Sequence, residues 1–402
     1  MKAKVLPPIR LLAVTHSATL GGNQLHMADL LQRFLSTDVT VVAVGVPEIG
    51  SFSQLLAQKG LPTVLIPLPI LSRLYSPSAV IREIAKFPGF VRRFEALLRE
   101  VKPDIVYTNS HRSAIVVEPI LTRHHVPLVW MMSEFIKSQL WHYLAIHRIA
   151  RRSSAIVAIS NATREAILRL GAMPERVRTI PIGIEPSGFD IPVAHVAQFR
   201  VEHSITQGVL LVGMVGWIQP LKGWHVLVDA IPFVRVAFPN VKFLFVGDCI
   251  TDESKNYQTQ LRARLTELGQ EDAVIWLGYR QDIPLIMNAC DIVLQASIEP
   301  ETLGVTILEA MAARRPVICS DIGALSEVNL HGETGLVIAP NQPVELAGAI
   351  KRLLGDAELR TRMGVQGRRR VEERFTQQQQ VQAHIELFQV AVAGAKQNAD
   401  RF

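Results

Sequence analysis

Cysteine is scarce, long apolar runs are missing, and no pair of aspartates stands at D-x-D spacing. The three cysteines, Cys249, Cys290 and Cys319, are odd in number, lack C-x-x-C spacing and sit in apolar contexts such as PVICSD. That excludes a disulfide framework and a cysteine zinc site, and fits a reducing cytosol. No stretch reaches the roughly 18 to 20 apolar residues that a spanning helix requires, so any membrane contact is expected to be peripheral. The opening MKAKVLPPIRLLAVTHS is no leader peptide on this reading: Pro7, Pro8 and Arg10 interrupt it, no small-residue cleavage site follows, and it reads as a first strand. Aromatics make up only 6% of the chain and are not interleaved with the basic residues. With no helix-turn-helix, zinc-finger or RNP-like pattern either, nucleic acid is not an expected partner.

What is present is enough apolar material, 49% of 402 residues, for two cores, since one core stops growing near about 250 to 300 residues. Charge is divided unevenly. Residues 1–190 hold 22 Lys and Arg against 13 acids, a net +9, and the remainder holds 20 against 23, a net −3. The basic half should meet something anionic. Short β-rich runs alternate with amphipathic helical stretches, the pattern of parallel sheets covered on both faces. In the first half the strands read IRLLAVTH, DVTVVAVG, PTVLIPL, DIVYTN, VPLVWMM and AIVAIS; in the second, GVLLVGMVG, VKFLFVGD, AVIWLG, DIVLQAS, PVICSD and GLVIA. Between them PIGIEPSGFDIPVAHVAQFRVEHS loses the periodicity and gathers Pro and Gly. The expected organisation is a first α/β domain over 1–190, a linker over 191–205 and a second α/β domain over 206–375. A C-terminal helix over 376–402 is expected to return to the first domain. Two doubly wound sheets offer a ligand crevice at the carboxyl ends of their strands.

Chemistry concentrates in SIEPETLGVTILEAMAARRP, residues 297–316. Glu301 stands at the opening of a helix expected to begin near Leu303, and Glu309 lies two turns on, among Val305, Ile307, Leu308, Ala310 and Met311. A carboxylate buried there without partners costs several kcal/mol, so it should accept hydrogen bonds from polyol hydroxyls such as a ribose diol. The open helix terminus at Leu303, Gly304 and Val305 suits a diphosphate. The alternative is a capping acid at Glu301 and an internal salt bridge at Glu309. A second signal is GWIQPLKGWHVLVDA, in which Lys222 stands in what reads as the first turn of a helix. A cation there opposes the dipole, which makes sense if an anion sits between it and nearby amides. A solvated surface lysine is the competing reading.

These residues carry a resemblance. Glu301-x7-Glu309 followed by Ala310-Met311-Ala312 and Pro316-Val317, with Lys222-Gly223 and Val246-Gly247-Asp248 before it, resembles the family 4 retaining glycosyltransferases of the GT-B fold. Gly21-Gly22 after the first strand, SSAIVAISNATREAILRLGAMPERVRTIPIGIEPSGF and GALSEVNLHGETGLVI extend the likeness over nearly the whole chain. The resemblance implies an α/β GT-B fold, two Rossmann-like doubly wound parallel-sheet domains facing a central cleft. By the same resemblance Glu301 contacts donor-sugar hydroxyls, Glu309 holds the nucleotide ribose, Lys222 holds the diphosphate, and Gly21 and Gly22 approach donor and acceptor. Several positions depart from the family pattern. The arginine five residues before the lysine is Trp217, the histidine after the fifth strand is replaced within Met131-Met132-Ser133-Glu134, a glycine before Pro316 becomes Arg314 or Arg315, and the N-G-I asparagine is Ile182. Arg314 or Arg315 is a candidate source of the charge missing at Trp217. His16 and His111 are the histidines best placed to face an acceptor, against a purely structural role.

The resemblance implies a retaining hexosyltransferase whose donor is a nucleoside diphosphate sugar, UDP and a hexose being the family's commonest, and whose acceptor is a glycan or a lipid-linked hydroxyl. The sugar nucleotide is a substrate and no cofactor is expected. Without D-x-D no metal is expected either, and Lys222 with the helix amides must supply the positive field. Two other classes stay open: a sugar-nucleotide-binding subunit that lost activity with Trp217, and a GT-B epimerase. Finally, SAVIREIAKFPGFVRRFEALLRE, residues 78–100, joins Phe87, Phe90 and Phe94 to Arg82, Lys86, Arg92, Arg93 and Arg99. A break at Phe87-Pro88-Gly89-Phe90 would push aromatics onto an anionic lipid surface at the inner face of the membrane. An ordinary helix packed on its sheet is the equal alternative.

Overall fold

The computed structural model describes residues 8–69, 77–136 and 140–399. Residues 1–7 and the Arg82 side chain, on which two of the expectations above touch, lie outside the described part. The chain forms two compact units, Met1–Pro181 with Gln378–Phe402, and Ile182–Gln377.

In the first unit, strands β1 (Ile9–Val14), β2 (Val39–Val46), β3 (Thr63–Leu65), β4 (Ile105–Thr108), β5 (Leu128–Met132), β6 (Ala155–Ala158) and β7 (Val177–Thr179) make one sheet, ordered β3-β2-β1-β4-β5-β6-β7. Every pairing is parallel. The helices between them are α1 (Gly22–Phe34), α2 (Ser51–Gln58), α3 (Pro77–Val101), α4 (His111–Arg123), α5 (Leu140–Arg152) and α6 (Asn161–Arg169). Strands read as continuous apolar runs because helices cover both faces: all of β5 and β6 is buried. Each fully buried Val, Leu, Ile or Phe contributes about 1.5 to 3 kcal/mol. Strand β7, Val-Arg-Thr, was not expected; three residues carry no readable periodicity.

Helix α3 runs unbroken through Pro88. Phe90 and Phe94 stack at 5.6 Å and belong to the core, 1% and 0% exposed. The outward break expected at Phe87–Phe90 therefore does not occur: burial of two aromatic rings outweighs the roughly 3 kcal/mol that an interior proline costs a helix. Only Phe87 of the three faces solvent.

The first α-helix of the second unit is α7 (Val193–Glu202), inside the segment expected to be a linker. Its low amphipathicity hides it from periodicity, yet Phe199 is buried and Arg200 donates to the carbonyls of Ala289 (2.8 Å) and Val209. Then follow β8 (Leu211–Val215), α8 (Trp224–Arg235), β9 (Lys242–Val246), α9 (Asp252–Glu267), β10 (Val274–Gly278), α10 (Ile283–Ala289), β11 (Ile292–Gln295), α11 (Val305–Ala312), β12 (Val317–Ser320), α12 (Leu325–Val328), β13 (Gly335–Ile338), α13 (Pro343–Gly355) and α14 (Ala357–Arg374). The sheet order is β10-β9-β8-β11-β12-β13, again parallel throughout. Helix α15 (Gln377–Ala399) packs in the first unit, where His384 meets Phe34 and Tyr107 edge-on and Phe388 meets Tyr107 edge-on and Phe34 at a tilt.

Both sheets reverse strand order once, between β1 and β4 in the first and between β8 and β11 in the second. In open parallel sheets ligands bind beyond the carboxyl ends of the strands at such a reversal, because adjacent connections leave toward opposite faces and open a crevice there.

Candidate functional site

In the second unit, the reversal is lined by the loops after β8 and β11. After β8 the chain passes Gly216 and Trp217 into a 3-10 turn, Pro220–Lys222, and then Gly223, the N-cap of α8. Gly223 has φ 76°, and a Cβ there would stand 1.9 Å from the carbonyl oxygen of Ala296, so only glycine lets this loop lie against the one after β11. Lys222 thus precedes the helix rather than standing in its first turn. Ile298 N donates to Leu221 O (2.9 Å), joining the two loops directly.

Lys222 Nζ donates to Glu301 Oε1 at 2.5 Å, and Ser297 Oγ donates to the same oxygen at 2.8 Å. Both side chains of the ion pair are largely buried, 24% and 15% exposed. The anion expected beside Lys222 is, in this structure, a protein carboxylate. Glu301 is tied through its backbone as well, by a bridge to Gly323 and by Ala324 N donating to Glu301 O (2.9 Å).

Leu303 is buried, Gly304 (φ 89°) is the N-cap, and α11 begins at Val305, two residues later than expected. No side chain caps the helix, so its leading amides, at Val305 and Thr306, are open to another acceptor. Two turns on, Glu309 lies among buried Leu308, Ala310, Met311 and Ala312. Burial pushes its carboxyl up to about 7 from 4.5. The carboxyl makes no hydrogen bond or ion pair among the described residues, which removes the internal salt bridge from consideration.

Trp217 stacks on Tyr279, the residue after β10, with ring centroids 6.5 Å apart and planes 16° from parallel. Its carbonyl accepts from Trp224 Nε1 (3.0 Å), which anchors the loop from below. Arg314 and Arg315 do not restore the charge missing at Trp217. They lie in the turn entering β12, at the amino ends of the strands, and Arg314 pairs with Asp190 at 2.7 Å. The connection from α11 to β12 necessarily runs back to that opposite edge.

In the first unit, the reversal is lined by residues after β1 and β4. Gly21 is the N-cap of α1 and Gly22 its first residue. A Cβ at Gly22 would meet nothing within 4 Å, so the fold itself makes no demand for glycine there. His16 Nε2 lies 3.3 Å from Arg112 NH1, and Arg112 NH2 and His111 Nδ1 lie 3.5 and 3.4 Å from the carboxylate of Glu134. Burial first, then the Arg112 charge, lowers His16 to about 4, so its imidazole is neutral at pH 7. His111 is the first residue of α4, capped by Ser110, whose hydroxyl accepts from Arg112 N. The two histidines, expected separately, are thus linked through Arg112 and Glu134.

Asn23 and Asn109 were not singled out from the sequence, and Ser133 only as part of the segment standing where the family has a histidine, yet the three knit this edge together. Asn23 Nδ2 donates to Asn109 O (3.1 Å) and Ser133 Oγ (2.9 Å), while Ser133 Oγ donates to Asn109 O (2.9 Å). Both amide atoms of Asn109 and Asn23 Oδ1 are buried without partners among the described residues. Their signal was position: Asn109 ends the strand run DIVYTN, Asn23 adjoins the glycine pair, and Ser133 follows the fifth-strand run VPLVWMM. Ser297 was likewise readable only as the residue four before Glu301. Among the described residues no cluster of His, Cys, Asp and Glu could hold a metal ion, and no helix is long and apolar enough to cross a membrane.

Two family models match the chain, the glycosyl transferase 4-like domain over residues 21–183 and glycosyl transferases group 1 over residues 196–370. The chain is similar to 2-deoxystreptamine glucosyltransferase of Streptomyces kanamyceticus, 30% identical over 54% of this chain and 57% of that protein. It is also similar to D-inositol 3-phosphate glycosyltransferase of Jonesia denitrificans, 27% identical over 73% of each. Against the first relatives it matches, the aligned part spans about half of their length. Among solved structures, HepE of Anabaena in complex with UDP superposes with a TM-score of 0.83 at 25% identity, covering 94% of this chain and 99% of that one.

Proposed function

Since the chain belongs to the group 1, family 4-like glycosyltransferases and has their GT-B fold, we propose that it moves a hexose from a UDP-sugar to a hydroxyl of a glycan or lipid-linked acceptor, with retention and without a metal. The observation that carries this reading is the Lys222–Glu301 pair beside the uncapped start of α11, with the unpartnered Glu309 carboxyl two turns further on. Glu309 accepts from the ribose diol. The amides of Val305 and Thr306 with Lys222 receive the diphosphate, and Glu301 meets the hydroxyls of the sugar. Complexes of the Anabaena protein with UDP and with UDP-glucose support this choice of donor.

In the proposed reaction the acceptor oxygen bonds to the anomeric carbon on the face from which the diphosphate departs. The leaving phosphate oxygen takes the hydroxyl proton as the glycosidic bond to phosphate breaks. Lys222 offsets the charge that builds there. The Gly21-Gly22 loop gives donor and acceptor close backbone approach, and His16 and His111 with their Arg112–Glu134 links serve the acceptor. The solvent-facing Lys86, Arg92, Arg93 and Arg99 of α3, beside Phe87, support peripheral contact with an anionic membrane at its cytoplasmic face. Vesicle flotation should then show binding that weakens with salt, and no binding at low salt removes this contact.

Incubation with labelled sugar nucleotides tests the main reading. Transfer, or slow donor hydrolysis without an acceptor, upholds it; binding without turnover identifies a sugar-nucleotide-binding subunit, and an altered sugar still joined to nucleotide identifies an epimerase. Activity is expected to survive excess EDTA, and loss restored by magnesium or manganese overturns the metal-free mechanism.

A further inference from the structure

Arg314 and Arg315 close the turn between α11 and β12, on the edge of the second sheet opposite to Lys222 and Glu301. Arg314 takes φ 58°, which reverses the chain, and helix α14 packs against the turn so tightly that a Cβ at Gly364 would lie 2.1 Å from Arg314 O. Between the turn and the start of α14 is a cavity of about 390 Å3, lined by Asn288, Asp291, Arg314, Arg315, Ala357 and Arg360 among others. That volume falls within the roughly 300 to 1,000 Å3 of small-molecule pockets.

The charges around it do not balance. Arg314 is paired with Asp190. Arg360 NH1 donates to the carbonyls of Leu353 (2.6 Å) and Leu354 (2.8 Å), but no carboxylate pairs with it among the described residues. Arg315 Nε is buried with no hydrogen-bond partner, and its guanidinium makes no ion pair among the described residues. Burial accordingly pulls that guanidinium below its ordinary range. Asp291, the one acid in the lining, acts on the Arg315 charge through space only, while its carboxylate is bonded elsewhere: Oδ2 accepts from Leu211 N at 2.7 Å and lies 3.6 Å from Arg200. Ala357, Arg360 and Thr361 share one face of the first turns of α14; since Asp356 caps that helix and Glu358 stands in its first turn, the positive charge at the cavity comes from the arginines and not from the helix end.

We propose that this cavity binds a phosphate monoester of a small molecule, at a site separate from the donor site, with the Arg315 fork as its principal donor and Arg360 as the second charge. A planar guanidinium matches two phosphate oxygens at once, and a dianion would offset both unpaired cations.

The test is calorimetric titration of the full chain with inorganic phosphate and with glucose 6-phosphate, ionic strength held constant with chloride. Both should bind one site in the unaltered protein and in Lys222→Ala. Arg315→Gln and Arg360→Gln should each weaken binding on the order of tenfold or more. Tighter binding of glucose 6-phosphate identifies an esterified phosphate as the ligand, whereas binding of free phosphate alone shows the anion site but removes the ester. If Arg315→Gln fails to fold, Arg360→Gln on the half-buried helix face still decides. Binding unaffected by either arginine change, binding abolished by Lys222→Ala, or binding that disappears once ionic strength is matched would each overturn the proposal, the last marking an adventitious ion only.

Discussion

Lys222 Nζ and Glu301 Oε1 hold each other at 2.5 Å, so the lysine assigned to the diphosphate and the glutamate assigned to the sugar neutralise one another. An arriving diphosphate must share or displace that carboxylate. Lys222→Ala should lower kcat/KM at least ~100-fold, about 2.7 kcal/mol. Glu301→Ala should behave differently: kcat falls because the sugar loses an acceptor, while UDP affinity holds or rises because the lysine is released. Steady-state kinetics with calorimetry separates the two, and an equal loss of UDP affinity in both variants contradicts the division of roles.

Glu309 should make donor binding depend on pH. Its carboxyl stands at about 7, raised above 4.5 by burial. A carboxyl raised in this way lends its full stability below about 4.5 and loses it as pH rises through 7, at most about 3 kcal/mol across the window. Ribose hydroxyls would supply the missing donors to the charged form. The rise in Tm on adding UDP should therefore grow between pH 5.5 and pH 8, and Glu309→Gln should flatten that dependence and weaken UDP binding by about 1 to 3 kcal/mol. Unchanged UDP affinity in Glu309→Gln removes Glu309 from the ribose site.

Legibility in the sequence followed chain direction and contact range. Strands such as IVYT and VICS were readable because burial on both faces makes them unbroken apolar runs. Helix α7 and strand β7 were not, since what holds them is tertiary: the buried Phe199 and Arg200 on distant carbonyls for the first, pairing with β6 for the second. At the candidate site, Glu309 and Lys222 stood out because a carboxylate among apolar residues and a cation at an expected helix start are both costly, and Glu301 by its spacing from Glu309. Asn109 and Asn23 did not, because an asparagine after a strand reads as a turn until the fold shows it buried without partners. The place of Arg314 and Arg315 also escaped the sequence, where adjacency to the site residues suggested proximity but helix α11 carries the chain to the other edge of the sheet.

Gly22 offers a separation of fold from function. Its Cβ position is open, so Gly22→Ala should leave stability unchanged or raise it by up to about 1 kcal/mol, as glycine is a poor helix residue. If the loop must approach donor or acceptor closely, the same change should lower kcat/KM at least tenfold. Thermal unfolding and kinetics on one preparation decide; full activity in Gly22→Ala shows that no ligand approaches that backbone.

Trp217 is the departure that most affects an enzymatic reading, and the energies involved favour a definite outcome. An arginine there would place a bidentate charged donor on the phosphates, worth about 1.5 to 3 kcal/mol. The indole instead stacks on Tyr279, a pairing worth about 0.5 to 1.5 kcal/mol. The loop does not need the ring for its anchorage, since Trp224 bonds to the Trp217 carbonyl and any residue supplies that group. With Arg314 and Arg315 on the opposite edge of the sheet, no other arginine of that turn stands in for the missing charge. Trp217→Arg should therefore leave kcat/KM unchanged or raise it, and soften the dependence on Lys222 in the double variant. A steep loss in Trp217→Arg would show that the indole itself holds donor or acceptor. Indifference to both Trp217→Arg and Lys222→Ala would show a protein that binds sugar nucleotide without transferring the sugar.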